Sequence, residues 1–429
     1  MGPRGQAATA WVLWLTYGSF YFCRTNISAA VPGMESDLGL DIDKEQIGWI
    51  LASFKLTYGI GQFVNGQLAE RVPARGLLAV GMLCSAALNV LFGFSEGFYF
   101  LLFVWATNGY MQALGWTPCM RVAANWCPAA RRGLFIGIIG TGYQFIAAVT
   151  YVVSGQAAEW FGWQFAFHIP AILLTLSAIH MLFFLREAPS PGPRTSPGID
   201  PQPDDEVDDS AVPVRRSSVS RNVFVTLTNP ALWYLAVALG LLNACRYGFL
   251  DWGITHLKEV HGDSVGKAAV KYAVLPLGGI AGAFVAGWVS DRFFGSRRAP
   301  VICILLVALG GLTVAYNHVV PLGLGWTLVT LALVGFTIYG PQVLLVGTAP
   351  VDLAFRGAPA AAVGFVNFMG YMGASVGDVV TGSLAKSYQD WRIPVYFWAG
   401  CAFMGAVATA MLWNVTARGP AEDSGDEEG

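Results

Sequence analysis

The sequence predicts an all-α membrane protein of twelve transmembrane helices arranged as two pseudo-symmetric six-helix bundles. Three observations carry that expectation. Of 429 residues, 55% are hydrophobic and only 12% charged, against about 25% charged in a soluble domain. Apolar stretches long enough for the roughly 20 residues of a helical crossing recur twelve times, six on each side of a polar segment. Marked residues also repeat between the two sets at a nearly constant offset. The acids of Gly66-x-x-x-Glu70-Arg71 and Gly287-x-x-x-Asp291-Arg292 are 221 residues apart, Arg24 and Arg246 (each after a cysteine) 222, and Pro118 and Pro341 223. Such offsets point to a duplicated six-helix unit related by an axis along the membrane normal.

Taken in order, the first six spans are expected at 9–32, 46–69, 76–95, 98–121, 133–157 and 163–185. The second six are expected at 223–255, 268–290, 300–318, 322–347, 358–385 and 392–414. Residues 1–186 then form one bundle and 223–414 the other. Between them, 187–222 is rich in Pro, Ser and Asp, a composition that cannot bury a core and reads as a flexible linker. Residues 415–429 form an acidic tail. Arginines mark alternate connections: Arg71 and Arg75 after the second span, Arg121, Arg131 and Arg132 after the fourth, Arg292, Arg297 and Arg298 after the eighth. With the N-terminus inside, 16 of the 25 Lys and Arg residues fall on inside segments, 6 outside, and 3 within spans. That bias predicts cytoplasmic termini and a cytoplasmic linker, in a multi-pass protein of the cell inner (plasma) membrane. A monomer in the lipid bilayer is expected.

The composition also excludes classes. The seven cysteines show no paired spacing and read as small packing residues. No Walker A, GxSxG, HExxH or nucleic-acid-binding pattern occurs, and no polar segment could hold a catalytic domain. Neither an enzyme nor a metal- or cofactor-dependent protein is expected.

Charges inside the spans carry the chemistry. Arg24 interrupts an otherwise uncharged stretch from Gly5 to Met34, and Arg246 ends the charge-free run from Asn222 to Cys245. A central arginine is expensive, from about 2.5 kcal/mol upward, and such residues face a bundle interior or watery cavity. The repeat places the two at equivalent depth across a central axis. There, paired guanidinium forks match the geometry of phosphate or carboxylate. Lys55 is the third buried cation, one heptad before Gln62 with Tyr58 between. It is expected either to join the anion site or to snorkel outward. Asp378 is the clear acid inside a span and is expected to pair with a cation or take up a proton. Tyr17 and Tyr21 form a helical stripe leading to Arg24, and Tyr339 and Tyr371 lie in the second half. Tyrosine hydroxyls can donate to phosphate oxygens. The loop motifs at Gly66, Glu70 and Arg71 and at Gly287, Asp291 and Arg292 can clamp neighbouring helices in one conformational state.

Twelve spans as six plus six, with these loops, resemble the major facilitator superfamily. Tyr21-Phe22-Cys23-Arg24-Thr25-Asn26, Gly115-Trp116-Thr117-Pro118-Cys119-x-Arg121, Arg246-Tyr247-Gly248-x-Leu250-Asp251-Trp252, Leu257-Lys258-Glu259-Val260 and Tyr339-Gly340-Pro341 are similar to the organophosphate:phosphate antiporter family. That resemblance covers about residues 11–414 apart from the linker. It implies that Arg24 and Arg246 bind a phosphoryl group, with Tyr17, Tyr21, Tyr58, Tyr339 and Tyr371 lining the cavity. It also implies that a phosphate ester such as glycerol-3-phosphate or a sugar phosphate is exchanged for inorganic phosphate by rocker-switch alternating access. Two positions depart from the family: Tyr143 stands where several members carry histidine, and Gln62 where several carry lysine. The alternatives are a proton-coupled symporter of phosphate or another organic anion, with Asp378 as coupling acid, and a transporter-like sugar-phosphate receptor.

Overall fold

The computed structural model describes residues 3–69, 71–94, 96–127, 129–188, 224–354 and 359–415, and among them the regular structure is helical throughout. Nearly all of the expected linker, the expected tail from 416 onward, and Glu70 of the first loop motif lie outside the described residues.

The first crossing is built from α1 (Pro3–Ser19), a 3-10 turn (Phe20–Cys23) and α2 (Ile27–Ser36). Helices α3 (Lys44–Leu68) and α4 (Ala74–Gly93) follow, then a fourth crossing split into α5 (Phe98–Gln112) and α6 (Trp116–Trp126), then α7 (Ala129–Phe161) and α8 (Phe165–Phe184). The second half repeats this plan. It comprises α9 (Pro230–His261), the split pair α10 (Val265–Tyr272) and α11 (Val274–Phe293), and α12 (Arg298–Val319). The tenth crossing is α13 (Leu324–Val343) and α14 (Ala349–Leu353) joined by a π-helical turn at Leu344–Thr348, and α15 (Pro359–Tyr388) and α16 (Arg392–Ala410) complete the set.

Eight of the crossings are long and apolar enough to span a bilayer by hydropathy alone. The four that fall short each have a local reason. The first is cut at Arg24, the second carries Lys55, the fourth breaks after Gln112, and the eleventh carries Asp378. The helix boundaries follow capping chemistry. Asp43 and Gln46 form a reciprocal capping box at the start of α3. Asn229 caps α9 with Pro230 at its first position, and Gly262 ends it with φ 67°.

Pairing within the halves repeats helix for helix. The first crossing packs on the fifth (α1 with α7) and the seventh on the eleventh (α9 with α15). The second packs on the fourth (α3 with α5), the eighth on the tenth (α11 with α13), the third on the sixth (α4 with α8) and the ninth on the twelfth (α12 with α16). The halves meet through α3 against α15, α7 against α10 and α11, and α2 against α9.

That seam is closed at the end predicted to face outside. Lys44 bridges Glu35 of its own half at 3.3 Å and Glu259 of the other at 2.8 Å. Lys386 of α15 bridges Asp43 and Glu45 at 2.9 and 2.8 Å. Below this rim, Tyr151 donates to the Leu250 carbonyl at 3.0 Å and Ser375 to that of Ala52 at 3.2 Å. Gly48 lets the backbones touch, because a Cβ there would stand 2.7 Å from the Asp378 carbonyl oxygen.

Candidate functional site

The first half positions Arg24 by breaking a helix. After the 3-10 turn the backbone at Arg24 leaves helical geometry, at φ −123°, ψ −49°. Carbonyls freed inside a bilayer must find donors, and neutral amide side chains supply them. Cys23 accepts from Asn108 at 2.9 Å, and Phe20 accepts from Gln112 at 3.0 Å. Asn26 donates to Asn89 at 2.9 Å and to the Ala166 carbonyl at 3.0 Å. Arg246 is held differently, on the unbroken α9. There, Asn243 donates to the Gly370 carbonyl at 3.0 Å and ties the helix to α15.

Both guanidiniums are buried, at 9% and 3% exposure. Among the described residues neither has a carboxylate partner. Nε and Nη2 of Arg24 and Nε of Arg246 are buried without any hydrogen bond. Their neighbours are ring faces. Arg24 lies over Tyr58 at 4.0 Å, Tyr21 at 4.9 Å and Phe54 at 5.5 Å, and Arg246 lies over Tyr247 at 4.7 Å and Tyr339 at 5.1 Å. Cation–π contact of this kind offsets part of the burial penalty while leaving the N–H donors free.

The tyrosines join the two cations into one site. Tyr21 stacks on Tyr143 at 4.9 Å, and Tyr143 reaches Tyr339 at 6.3 Å, so rings lead from Arg24 to Arg246. Tyr58 meets Tyr371 across the seam at 4.8 Å. Tyr17 stands behind Tyr21 and against Trp116. Gln62 is half-buried on α3, seven residues beyond Lys55.

Lys55 does neither thing expected of it. Its ammonium donates to Asp251 at 2.5 Å and also to Asp378, so it neither joins the arginines nor snorkels outward. All three groups are buried, Asp378 completely. Asp378 thus pairs with a cation, one of its two expected uses. Asp251, named from the sequence only within the motif that follows Arg246, is a member of the same cluster. The ring of Tyr247 lies 4.5 Å from the Lys55 ammonium. Tyr247, Phe54 and Trp116, together with the amides Asn89, Asn108 and Gln112, are parts of the site that sequence reasoning missed. Uncharged amides inside otherwise apolar spans were the available signal.

Of the loop motifs, Asp291 pairs with Arg298 at 2.5 Å, not with Arg292, which is exposed, and Arg298 also reaches Asp352 at 3.1 Å. This ties α11, α12 and α14 together. Gly287 has open space around it. In the first half, Arg71 is exposed and Gly66 lies on α3. All seven cysteines are free.

A family profile described as Major Facilitator Superfamily matches residues 13–378. Among curated relatives, a "Probable hexose phosphate transport protein" of Chlamydia trachomatis is 28% identical over 94% of this chain and 90% of its own. The "Membrane sensor protein UhpC" of Escherichia coli is 28% identical, covering 96% of this chain and 92% of that one. The "Glycerol-3-phosphate transporter" of Bacillus subtilis is 28% identical, covering 95% and 92%. These relatives bear out the resemblance read from the motifs. Among solved structures, a bacterial homolog of the human lysosomal transporter Spinster aligns over 97% of this chain and 96% of that chain, with a TM-score of 0.71 and 17% identity.

Proposed function

The chain belongs to the Major Facilitator Superfamily, and on that premise we propose that it carries a phosphate ester across the membrane in exchange for inorganic phosphate. The observation that carries the proposal is the pair of buried guanidiniums, one from each half, with free N–H donors and, among the described residues, no acid paired with either. An arginine pair without a counter-ion calls for an anion with several acceptor oxygens, and a phosphoryl group supplies them in the forked geometry that arginine matches. The names of the relatives agree with this ligand class.

The mechanism follows from where the cations sit. Arg24 and Arg246 belong to different halves, so an anion bound between them draws the halves together. With no anion, two like charges in one low-dielectric site oppose closure. A carrier that crosses readily only when loaded exchanges one anion for another. The closed seam lies at the end that the charge bias assigns to the outside, so in this state the site would open toward the cytoplasm. Tyr17, Tyr21, Tyr58, Tyr143, Tyr339 and Tyr371 form the walls that meet the organic part of the ester, with Gln62 further along α3.

The test is exchange in proteoliposomes loaded with inorganic phosphate and offered a panel of phosphate esters. Arg24→Lys and Arg246→Lys keep the charge but lose the fork. A lost charge-assisted hydrogen bond is worth about 1.5–3 kcal/mol, so each substitution should lower exchange at limiting substrate by roughly tenfold to a hundredfold. Normal exchange in both variants refutes the assignment. Ester binding by the wild type without exchange would instead place the protein with sensors such as UhpC.

A further inference from the structure

Beyond the exchange reaction, and resting on it, we infer that the sealed core binds one proton with each dianionic phosphate, and that Asp251 and Asp378 share that proton. The geometry of the ionic cluster is the starting point. One ammonium, Lys55, serves two carboxylates, Asp251 at 2.5 Å and Asp378 on its other side. Carboxylate oxygens that share one ammonium lie within about 5 Å of each other, and two carboxylates so close in a buried site resist ionising together. The second Asp378 oxygen, Oδ1, is fully buried and has no hydrogen-bond partner among the described residues. The Trp252 indole N–H lies beside Asp378 as a further donor, but the contact falls short of a regular hydrogen bond. An ionised oxygen without a full hydrogen bond is among the costlier groups to bury. A protonated carboxyl carries no such charge.

Charge balance in the closed state leads to the same conclusion. The core holds three cations, Arg24, Arg246 and Lys55, and two acids, Asp251 and Asp378. A phosphate dianion between the arginines would leave one negative charge in excess inside a low-dielectric seam. One proton brings the loaded core to neutrality. The elements packed around Asp378 offer few other groups to carry it. From α3 comes Lys55; from α9 come Arg246, Asp251 and the ring of Tyr247; from α15 itself comes Tyr371; and α16 contributes the neutral Trp398, which donates to Thr381 at 2.9 Å. The rim charges further out are engaged with one another, Lys44 with Glu35 and Glu259, and Lys386 with Asp43 and Glu45.

The placement of the cluster gives the proton a route. Lys55 belongs to the first half, whereas Asp251 and Asp378 both belong to the second and stay together on packed helices. When the seam parts, the lysine leaves and the acid pair faces the water that entered. A solvent proton then bonds to a carboxylate oxygen, and closure with Lys55 and phosphate seals it in. Because the outgoing and incoming anions would each bring one proton, exchange of dianion for dianion moves no net proton. The signature is therefore in binding.

The test titrates inorganic phosphate into purified wild-type protein at pH 8 by calorimetry, in buffers of different ionisation enthalpy. The expected result is uptake of about one proton per phosphate, and affinity that falls about tenfold per pH unit on the alkaline side, as one-proton linkage requires. In Asp378→Asn and in Asp251→Asn, uptake should vanish and affinity should become flat over that range. The phosphorus resonance of the bound anion should report a dianion in all three proteins. Phosphate binding without proton uptake by the wild type overturns this inference and leaves the exchange reading intact. Undiminished uptake in both variants, or a bound monoanion, also overturns it. A wild type that neither binds nor exchanges phosphate overturns both readings.

Discussion

Replacing Lys55 with methionine should open the seam at the predicted outer face. The lysine is buried at 3% exposure and is the cross-half partner of Asp251 and Asp378. Removing one partner of a buried ion pair costs about 3–5 kcal/mol, because the charge left behind has neither water nor a counter-ion. Here the loss falls almost wholly on the closed state. Once the halves part, Lys55 no longer touches the acids, so its absence changes little there. The exposed pair Lys44–Glu259 cannot compensate, since pairs in contact with water contribute about 0–1 kcal/mol. A 3 kcal/mol bias is a population shift of roughly a hundredfold.

The measurement uses Ser375→Cys, a near-isosteric thiol at the seam where the serine now donates to Ala52 across the halves at 3.2 Å. Its reaction with a membrane-impermeant maleimide reports opening on that side. Labelling should be roughly a hundredfold faster when Lys55→Met is added. It should slow again in the triple variant Lys55→Met/Asp251→Asn/Asp378→Asn, in which no charge is left at the cluster. Lowering the pH should slow it in Lys55→Met as well, because protonating the stranded acids removes the charge that opposes closure. Equal labelling with and without the lysine, or a triple variant labelled as fast as the single one, would refute the reasoning.

Three further outcomes are expected. Gly48→Leu places a side chain where even a Cβ would stand 2.7 Å from the Asp378 carbonyl oxygen, so closure fails, the Ser375→Cys thiol labels faster and exchange slows. Asn108→Leu removes the 2.9 Å donor to the Cys23 carbonyl, leaving it the 3.4 Å contacts from Asn89 and Gln112, and takes away the acceptor that the Ser85 hydroxyl holds at 2.7 Å. One unsatisfied buried group costs about 1–3 kcal/mol, visible as a lower unfolding midpoint in detergent and weaker phosphate binding as Arg24 loses its anchor. At the rim, burial raises the Asp43 carboxyl but the Gln46 N–H and the Lys386 ammonium outweigh it, so the carboxyl lies below its ordinary value. Its stabilisation is therefore present above the ordinary range near 4 and is lost as pH falls below it. Asp43→Ala should remove about 1 kcal/mol of capping, Asp43→Asn should retain most of it, and thermal unfolding across pH 3 to 7 distinguishes them.

Some of this was written plainly in the chain. Arg24 and Arg246 are conspicuous because a charge inside an apolar run has few explanations, and the recurring offset links them without any coordinates. The helix pairing, crossing for crossing, follows from the same repeat. Lys55 was opaque for a physical reason. Its partners lie 196 and 323 residues away, and nothing in the local sequence of α3 announces them. The position of Asp251 was obscured by a boundary. The seventh span was expected at 223–255, but the helix runs Pro230–His261, which moves Asp251 toward the middle. The capping asparagine, the following proline and the terminal Gly262 were the local signals of those ends. The break at Arg24 had no such punctuation, since no glycine or proline lies between Phe20 and Asn26. It is made by side chains of α4 and α5 that replace lost backbone hydrogen bonds.

Two arginines that the repeat makes equivalent are therefore not equivalent in the folded chain. Arg24 rides on an interrupted helix whose carbonyls are held by amides, and its rings come from its own half. Arg246 rides on a continuous helix and shares the Tyr247 ring with Lys55, at 4.7 and 4.5 Å. One ring thus touches both the free guanidinium and the lysine that holds the halves together. An anion that draws Arg246 toward Arg24 changes the electrostatics of that ring and, through it, the setting of the Lys55 cluster. Arg24 has no comparable contact with the cluster. Under the proposed exchange, anion binding between the arginines and closure of the seam would in this way be joined on the Arg246 side, where both acids of the core also reside. The repeat places two matching charges, and Lys55, Asp251 and Asp378 gather beside one of them and not the other.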